Sequence, residues 1–383
     1  MFKHDAGAGH EIRVTEPFLP ALDEFVPYLQ RIWQTKWLTN GGAMAAALER
    51  ALCAYLGVEH LALLANGTLA LMVAVKALDL SGEVITTPYT FIATPHALRW
   101  SGVQPVFADI DPRTLTLDPA RLEAAITPRT SAIMPVHCYG NRCDVEAIGA
   151  IAERHGLRVI YDAAHAFAVC DGAGSLMRHG DLSVLSFHAT KVFSTIEGGA
   201  IVGRDAAMLQ RVERLRNFGL ADEESVTEVG LNGKMNEVCA AFGLFQLGHV
   251  AEVLARLRAL SQRYRSALAD VAGIRCLELF GEAQANHGFF PILVEPCYPL
   301  TRDALYGALR AAGIHARRYF FPLVTTFPMY AGHPSAARAN LPVAHAISEQ
   351  VLCLPIFAAM TDAQQAQVVE VIVSAARHGS RHR

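Results

Sequence analysis

The sequence has no run of about 18 apolar residues, the length a single membrane-crossing helix needs. Charge is also sparse. Only 18% of the 383 residues are charged, the formal sum is −3, and the basic side chains are scattered rather than gathered into a stripe. Neither nucleic acid nor an anionic membrane is therefore an expected partner. The eight cysteines, Cys53, Cys138, Cys143, Cys170, Cys239, Cys276, Cys297 and Cys353, show no C-x-x-C spacing. A zinc ribbon or redox pair is not expected from them. His137, Cys138 and Cys143 could be pictured as metal ligands, but buried thiols in a strand and loop are the commoner case. The N-terminal M-F-K-H-D-A-G-A-G-H-E lacks the apolar core and small-residue cleavage site of a signal peptide. A cytoplasmic protein with reduced thiols is the expectation. There is no internal repeat or low-complexity linker, and the basic tail at 377–383 reads as a frayed end.

What is present is an alternation of amphipathic helices with short apolar strands. The pattern predicts helices over Met44–Leu56, Thr68–Leu78, Phe91–Trp100, Pro119–Ile126 and Val145–His155. Strands are predicted at Leu61–Leu64, Val84–Thr87, Val106–Ala108, Ala132–Val136, Arg158–Tyr161, Leu182–Phe187 and Ala200–Gly203. This rhythm argues an α/β fold, a mostly parallel sheet covered by helices on both faces. Sites in such sheets gather at the carboxyl ends of the strands. After about residue 235 the character changes to a long helical stretch, Met235–Val271, bent near Gly248. A strand at Gly288–Val294, a helix at Arg302–Ala312, a strand at Ile314–Arg317 and a terminal helix at Thr361–Ala376 follow. The expected organisation is a large domain, 15–245, and a smaller C-terminal α/β domain, 246–383.

The stretch Ser186–Gly199, S-F-H-A-T-K-V-F-S-T-I-E-G-G, places Lys191 on a short loop between two apolar strands. Such a lysine is either a surface charge or a desolvated amine with a lowered pKa, available as a nucleophile. Taken alone, the surface charge is the commoner case. Three neighbours reverse that weighting. Ala65-Asn66-Gly67-Thr68 follows a strand and opens a helix, offering backbone N–H groups and a hydroxyl cap to an anion. Asp162 follows strand Arg158–Tyr161, and a carboxylate there needs an arginine, a metal or a cationic ring nitrogen. Pro88-Tyr89-Thr90-Phe91 places an aromatic at another strand end, where core packing would otherwise be the default. Each feature alone is ordinary, but a lysine, a buried acid, an anion cradle and an aromatic together describe a pyridoxal 5'-phosphate site.

The ordered motifs N-G-T-L-A-L, T-P-Y-T-F-I-A-T, P-V-H-C-Y-G, Y-D-A-A-H-A-F, S-F-H-A-T-K with E-G-G, and G-L-N-G-K-M-N-E resemble the DegT/DnrJ/EryC1/StrS family of nucleotide-sugar aminotransferases. The resemblance runs from about Pro17 to Cys353. It implies PLP fold type I, the aspartate aminotransferase-like architecture. It also implies Lys191 as the Schiff-base lysine, Asp162 as partner of the pyridine nitrogen, Phe91 as the stacking aromatic and His165 near the ring hydroxyl. Ser186, Gly67 and Thr68 would contact the phosphate. Asn232 would reach the phosphate in a neighbouring subunit, which implies a homodimer with shared sites. P-F-L-P at Pro17, K-W-L-T-N at Lys36 and S-T-I-E-G-G look most like the branch that makes dTDP-4-amino-4,6-dideoxy-D-glucose, an O-antigen type of deoxyamino sugar.

The implied reaction is a two-step transamination. L-glutamate donates the amino group, the cofactor passes through its pyridoxamine form, and a nucleotide-linked 4-keto-6-deoxy sugar accepts the amine. Two stretches depart from the family. Gly230-Leu231-Asn232-Gly233-Lys234-Met235 stands where G-x-N-Y-R-M is common, and Arg318-Tyr319-Phe320-Phe321-Pro322-Leu323 stands where Tyr-x-Pro-x-His is frequent. Amination at C3, or a GDP- or UDP-linked sugar, is accordingly an alternative, and a PLP-binding regulatory protein without turnover is a remoter one. Lys191 argues against the dehydratase branch, which carries histidine at this place.

Overall fold

Strand His60–Leu64 shows in small compass how the large sheet is built. Leu61 and Leu63 pack into one buried cluster with helices Leu22–Thr35, Ala43–Leu56 and Glu237–Leu247. Ala62 and Leu64 point the other way, into a cluster with helices Gly67–Ala77, Ala93–Trp100 and Ala206–Leu215. Alternate side chains of a strand face opposite sides, so an apolar residue at every position requires cover on both faces. The computed structural model describes residues 11–278 and 284–379. Residues 1–10 and the last residues of the basic tail, 380–383, lie outside the described residues.

The seven strands run in the order His60–Leu64, Gly199–Gly203, Leu182–Ser186, Arg158–Asp162, Thr130–Met134, Glu83–Thr86, Gln104–Phe107. Every pairing from Leu182–Ser186 to Gln104–Phe107 is parallel. The sheet is thus mostly parallel, as expected, with one exception. Gly199–Gly203 runs antiparallel to both of its neighbours, so Gly199 lies opposite Leu64 on one side and Ser186 on the other.

A second sheet, all antiparallel, joins Ile274–Cys276, Phe290–Val294 and Val351–Leu354. It has its own buried cluster, closed by helices Val250–Leu268, Arg302–Ala311 and Asp362–Gly379. The long helical stretch is bent as predicted: Glu237–Leu247 and Val250–Leu268 meet at 61°. Among the described residues no single helix is long and apolar enough to cross a membrane. The architecture is PLP fold type I.

Several local expectations fail for identifiable reasons. The helix predicted over Pro119–Ile126 is two 3-10 turns, Pro119–Arg121 and Glu123–Ala125, the first capped by Asp118. Ile314–Arg317 is not a strand. Ile12 bridges to Ile314 and Arg317 to Cys353, so the segment is split between two different partners. The helix predicted from Phe91 begins two residues later, at Ala93. Helices Leu22–Thr35 and Ala206–Leu215 and strands Ile274–Cys276 and Val351–Leu354 were not predicted.

Glu237 ties the helices beneath the sheet together. It is 2% exposed, and its carboxylate accepts hydrogen bonds from the amides of Met44 at 2.8 Å and Ala45 at 3.0 Å, capping helix Ala43–Leu56 from another helix. Glu237→Ala strands two buried donors, an expected loss of about 2–4 kcal/mol. Thermal unfolding should show Glu237→Ala well below wild type and Glu237→Gln between them. Equal midpoints for all three would remove the cap from the account.

Candidate active site

The cavity of interest, about 510 Å³, opens where the carboxyl ends of the central parallel strands meet the second sheet. Its walls come from Asn66–Thr68, Thr90–Thr94, Asp162–His165, Ser186–Lys191, Gly288–Phe290 and Arg317–Phe320. A parallel sheet leaves its strand-end loops on one rim, so residues far apart in sequence converge there.

Lys191 stands on a loop that is pinned at both ends. Phe187 N–H donates to the Gly198 carbonyl at 2.8 Å, and Thr195 N–H donates to the Phe187 carbonyl at 2.9 Å. Phe187 and Phe193, both buried, pack edge to face at 5.0 Å, and Phe193 stacks on Phe167 at 4.6 Å. Tethered this way, the loop holds the lysine backbone fixed. The amine sits 5.8 Å from the centroid of Phe289. Burial lowers its pKa from 10.5 to about 8, with Asp162 and Cys138 acting in the opposite sense. The side chain is partly buried, and the protein shell around the amine supplies the desolvation.

Asp162 is the last residue of its strand and only 5% exposed. Thr94 Oγ1 donates to Oδ2 at 2.7 Å, and Ala164 N–H donates to Oδ1 at 3.1 Å. Because Thr94 gives its proton to the carboxylate, the Thr90 hydroxyl 2.8 Å away must donate to Thr94. Burial raises the carboxyl pKa, and these hydrogen bonds together with Lys191 oppose the rise. Among the described residues no cation lies within ion-pair distance of it. Among the described residues the demand for a positive partner is met only at a distance, by the Lys191 amine.

The helix-opening turn differs in one detail from its sequence reading. Asn66, not Thr68, caps helix Gly67–Ala77, accepting the Leu69 N–H at 2.8 Å. Thr68 is exposed, and its amide and that of Gly67 are left without a helical partner at the cavity edge. The turn also requires glycine. A Cβ on Gly67 would lie 2.9 Å from Ser186 Cβ, and one on Gly199 would lie 2.8 Å from the Asn66 carbonyl. The E-G-G end of the lysine loop therefore exists so that Gly199 can pass under the Asn66–Gly67 turn.

His165 and Phe91 also line the cavity. Phe91 is 60% exposed in the single chain, its ring free to cover a flat molecule. Tyr139 N–H donates to His165 Nδ1 at 3.1 Å, and burial, then the Lys191 charge, hold the imidazole well below its usual pKa. Asn232 is exposed and is not part of this cavity's lining; it bridges to Asn217. Of the small-domain stretch that departs from the family, Tyr319 and Phe320 line the cavity, whereas Phe321–Leu323 and Lys234 do not; the sequence missed Phe289 as a lining residue. The Tyr89 and Tyr139 hydroxyls, 2.6 Å apart, both reach the Tyr319 carbonyl and bind that segment to the large sheet. Among the described residues no group of three or more His, Cys, Asp or Glu side chains is placed to hold a metal ion.

Residues 21–373 match the DegT/DnrJ/EryC1/StrS aminotransferase family. The chain belongs to this family. Among its relatives is the dTDP-4-amino-4,6-dideoxy-D-glucose transaminase of Shigella dysenteriae, 52% identical over 366 residues, covering 96% of this chain and 98% of the relative. A transaminase of the same name from Escherichia coli is 45% identical, with coverage of 94% and 96%. The crystal structure of DesI in the presence of its TDP-sugar product superposes with a TM-score of 0.92 at 36% identity, covering 98% of this chain and 96% of that one. This family member is accordingly an aminotransferase acting on sugars.

The lowered pKa of Lys191 can be read directly. Acetic anhydride labelling across pH, with peptides quantified by mass spectrometry, should give Lys191 a midpoint near 8. A midpoint at the ordinary lysine value would show the amine to be fully hydrated.

Proposed function

We propose that this chain binds pyridoxal 5'-phosphate and transfers the amino group of L-glutamate to dTDP-4-keto-6-deoxy-D-glucose, forming dTDP-4-amino-4,6-dideoxy-D-glucose. The observation that carries the reading is the convergence on one cavity of the Lys191 amine, the uncompensated Asp162 carboxylate and the glycine-dependent cradle at Gly67. The names borne by the 52% and 45% identical relatives support the choice of sugar, nucleotide and carbon.

The residues fit the cofactor on the structure's own terms. A buried carboxylate with no cation at ion-pair distance among the described residues suits a protonated pyridine nitrogen, and two helix-terminal amides beside the Ser186 hydroxyl suit a phosphate. When bound, the cofactor supplies an electron sink for the pair left when a C–H bond beside nitrogen breaks. Asp162 holds its carboxylate against the ring nitrogen, stabilising the positive charge there. Gly67, Thr68 and Ser186 bind the phosphate, Phe91 covers the ring and His165 stands by the ring hydroxyl. Lys191 Nζ moves a proton at the α-carbon of the amino acid, then moves one in the reverse sense at C4 of the sugar. An amine with a pKa near 8 gives up and takes back that proton near neutral pH without a large driving-force penalty.

Asn232, exposed and outside the chain's own cavity, is assigned to the phosphate site of a partner subunit in a homodimer. The division into a large domain, 15–245, and a small one, 246–383, belongs to the same reading, supported by the 61° bend between helices. Eight free thiols suit a cytoplasmic setting.

Adding pyridoxal 5'-phosphate to the purified protein should produce a visible absorbance band, and Lys191→Ala should lose it together with turnover. A wild-type protein that gives no band overturns the cofactor assignment. Incubation with L-glutamate and a panel of 3-keto and 4-keto sugars on dTDP, GDP and UDP, with products assigned by NMR, tests the substrate. A C3 amine, or turnover confined to GDP or UDP, would replace it.

Sharing of sites has its own test. Lys191→Ala and Asn232→Ala chains, each inactive alone, should regain about a quarter of wild-type activity when co-expressed, since mixed dimers then hold one complete site. No regain would place Asn232 in the same subunit's site as Lys191, and an Asn232→Ala chain active by itself would place it outside catalysis.

A further inference from the structure

Asn286 is buried, 2% exposed, on the stretch that leads into strand Phe290–Val294 of the small sheet. Its side-chain amide nitrogen donates to the carbonyls of His165 at 2.8 Å and Phe167 at 2.9 Å, and its oxygen accepts the Gly288 N–H at 3.1 Å. Three bonds of two kinds fix the orientation of the amide. Flipping it would set an oxygen against two carbonyls and an NH2 group against an N–H. Gly140 completes the enclosure. A Cβ there would lie 2.9 Å from the His165 carbonyl and 3.0 Å from Asn286 Oδ1.

This junction controls the His165 ring through its backbone. Tyr139 N–H donates to Nδ1, so the ring proton resides on Nε2. Nε2 has no hydrogen-bond partner among the described residues and is not among the buried unpartnered atoms, so it opens on the cavity that His165 lines. Phe289, three residues after Asn286, holds the ring from one side at a centroid distance of 4.4 Å, and Phe320 lies parallel to it at 6.2 Å. Asn286 thus couples two things that must be in register: the turn that carries His165 and the small-sheet stretch that carries Phe289.

We propose that Asn286 is a positioning residue, holding the His165 imidazole with Nε2–H directed into the cavity so that it donates to the ring hydroxyl of the cofactor. The proposal rests on the cofactor reading above. A donor at that hydroxyl changes the electron distribution of the ring, so the visible band reports on it, whereas a clamp that served stability alone would leave the band unmoved.

The test uses full-length protein loaded with pyridoxal 5'-phosphate. Asn286→Ala, Asn286→Ser, His165→Leu and the double variant Asn286→Ala/His165→Leu are compared by visible spectrum, kcat and KM. Asn286→Ser keeps a hydroxyl donor for one carbonyl, and serves if the alanine variant does not fold. The expected result is a band shifted in the same direction as in His165→Leu. With it should come a fall of about tenfold or more in kcat at a little-changed KM for the sugar. The double variant should be no worse than His165→Leu. A folded Asn286 variant with the wild-type band, or with an effect that persists undiminished in the His165→Leu background, overturns the proposal. A wild-type protein with no band overturns the cofactor reading instead, and this assignment with it.

Discussion

Everything at the rim of the large sheet depends on one electrostatic constraint, a carboxylate taken out of water with no cation among the described residues at ion-pair distance. Asp162 accepts two hydrogen bonds and lies within the field of the Lys191 amine, yet burial still raises its pKa. Lys191 meets the same constraint with the opposite sign, its charge disfavoured by burial and only partly restored by Asp162. Two groups that would each be happier in water are held apart rather than paired. A close ion pair would have satisfied both and left neither available for chemistry. The separation is what gives the site its capacity to accept a cationic ring on one side and to offer a neutral amine on the other.

Keeping such groups separated takes rigid support, which comes from opposite ends of the chain. The Lys191 loop is anchored by Phe187 and Phe193, and the Asp162 strand end is fixed by the Thr90–Thr94 relay. From the small sheet, Tyr319 is bound through its carbonyl to Tyr89 and Tyr139, and Asn286 spans to His165 and Phe167. Buried polar contacts of this kind add little net stability but allow only one arrangement, because every alternative leaves a donor or acceptor unpaired. The N-terminal segment joins the same wall, Val14 accepting the Ile356 N–H at 3.1 Å.

The parts legible in the sequence were those governed by local pattern. Doubly buried strands wrote themselves as apolar runs, and the bend of the long helical stretch was placed near Gly248, where the two helices part. Lys191, Asp162 and the Gly67 turn were read from their places at strand ends, which meet on one rim of a parallel sheet, and Ser186 from the resemblance to the family; all four line the same cavity. Residues on the stretch that leads into the antiparallel sheet escaped. Nothing local to Phe289 or Asn286 tells that the small domain folds back over the rim, whereas the Tyr319 stretch drew notice only by departing from the family pattern. The segment Ile314–Arg317 misled because its apolar character is spent on two separate bridges, to Ile12 and Cys353, instead of one ladder. Thr68 misled because hydroxyl and amide caps look alike in sequence, and Asn66 reached the Leu69 amide first.

The departures from family pattern acquire a physical meaning in this setting. Lys234, standing where arginine is common, donates to Asn217 Oδ1 and lies 4.8 Å from the centroid of Phe218. Its charge is engaged beside the bridge between Asn217 and Asn232, and it does not line the chain's own cavity. An arginine there would present a wider, planar donor set, and the compact ammonium instead fits one amide oxygen under an aromatic ring. The exchange therefore alters the platform that carries Asn232, leaving the walls of this chain's cavity untouched. Within those walls the small domain contributes Arg317, Tyr319 and Phe320, two of them aromatic, where a histidine is frequent nearby in the family. Aromatic faces favour flat or ring-shaped groups through contact area and do not discriminate one hydroxyl from another.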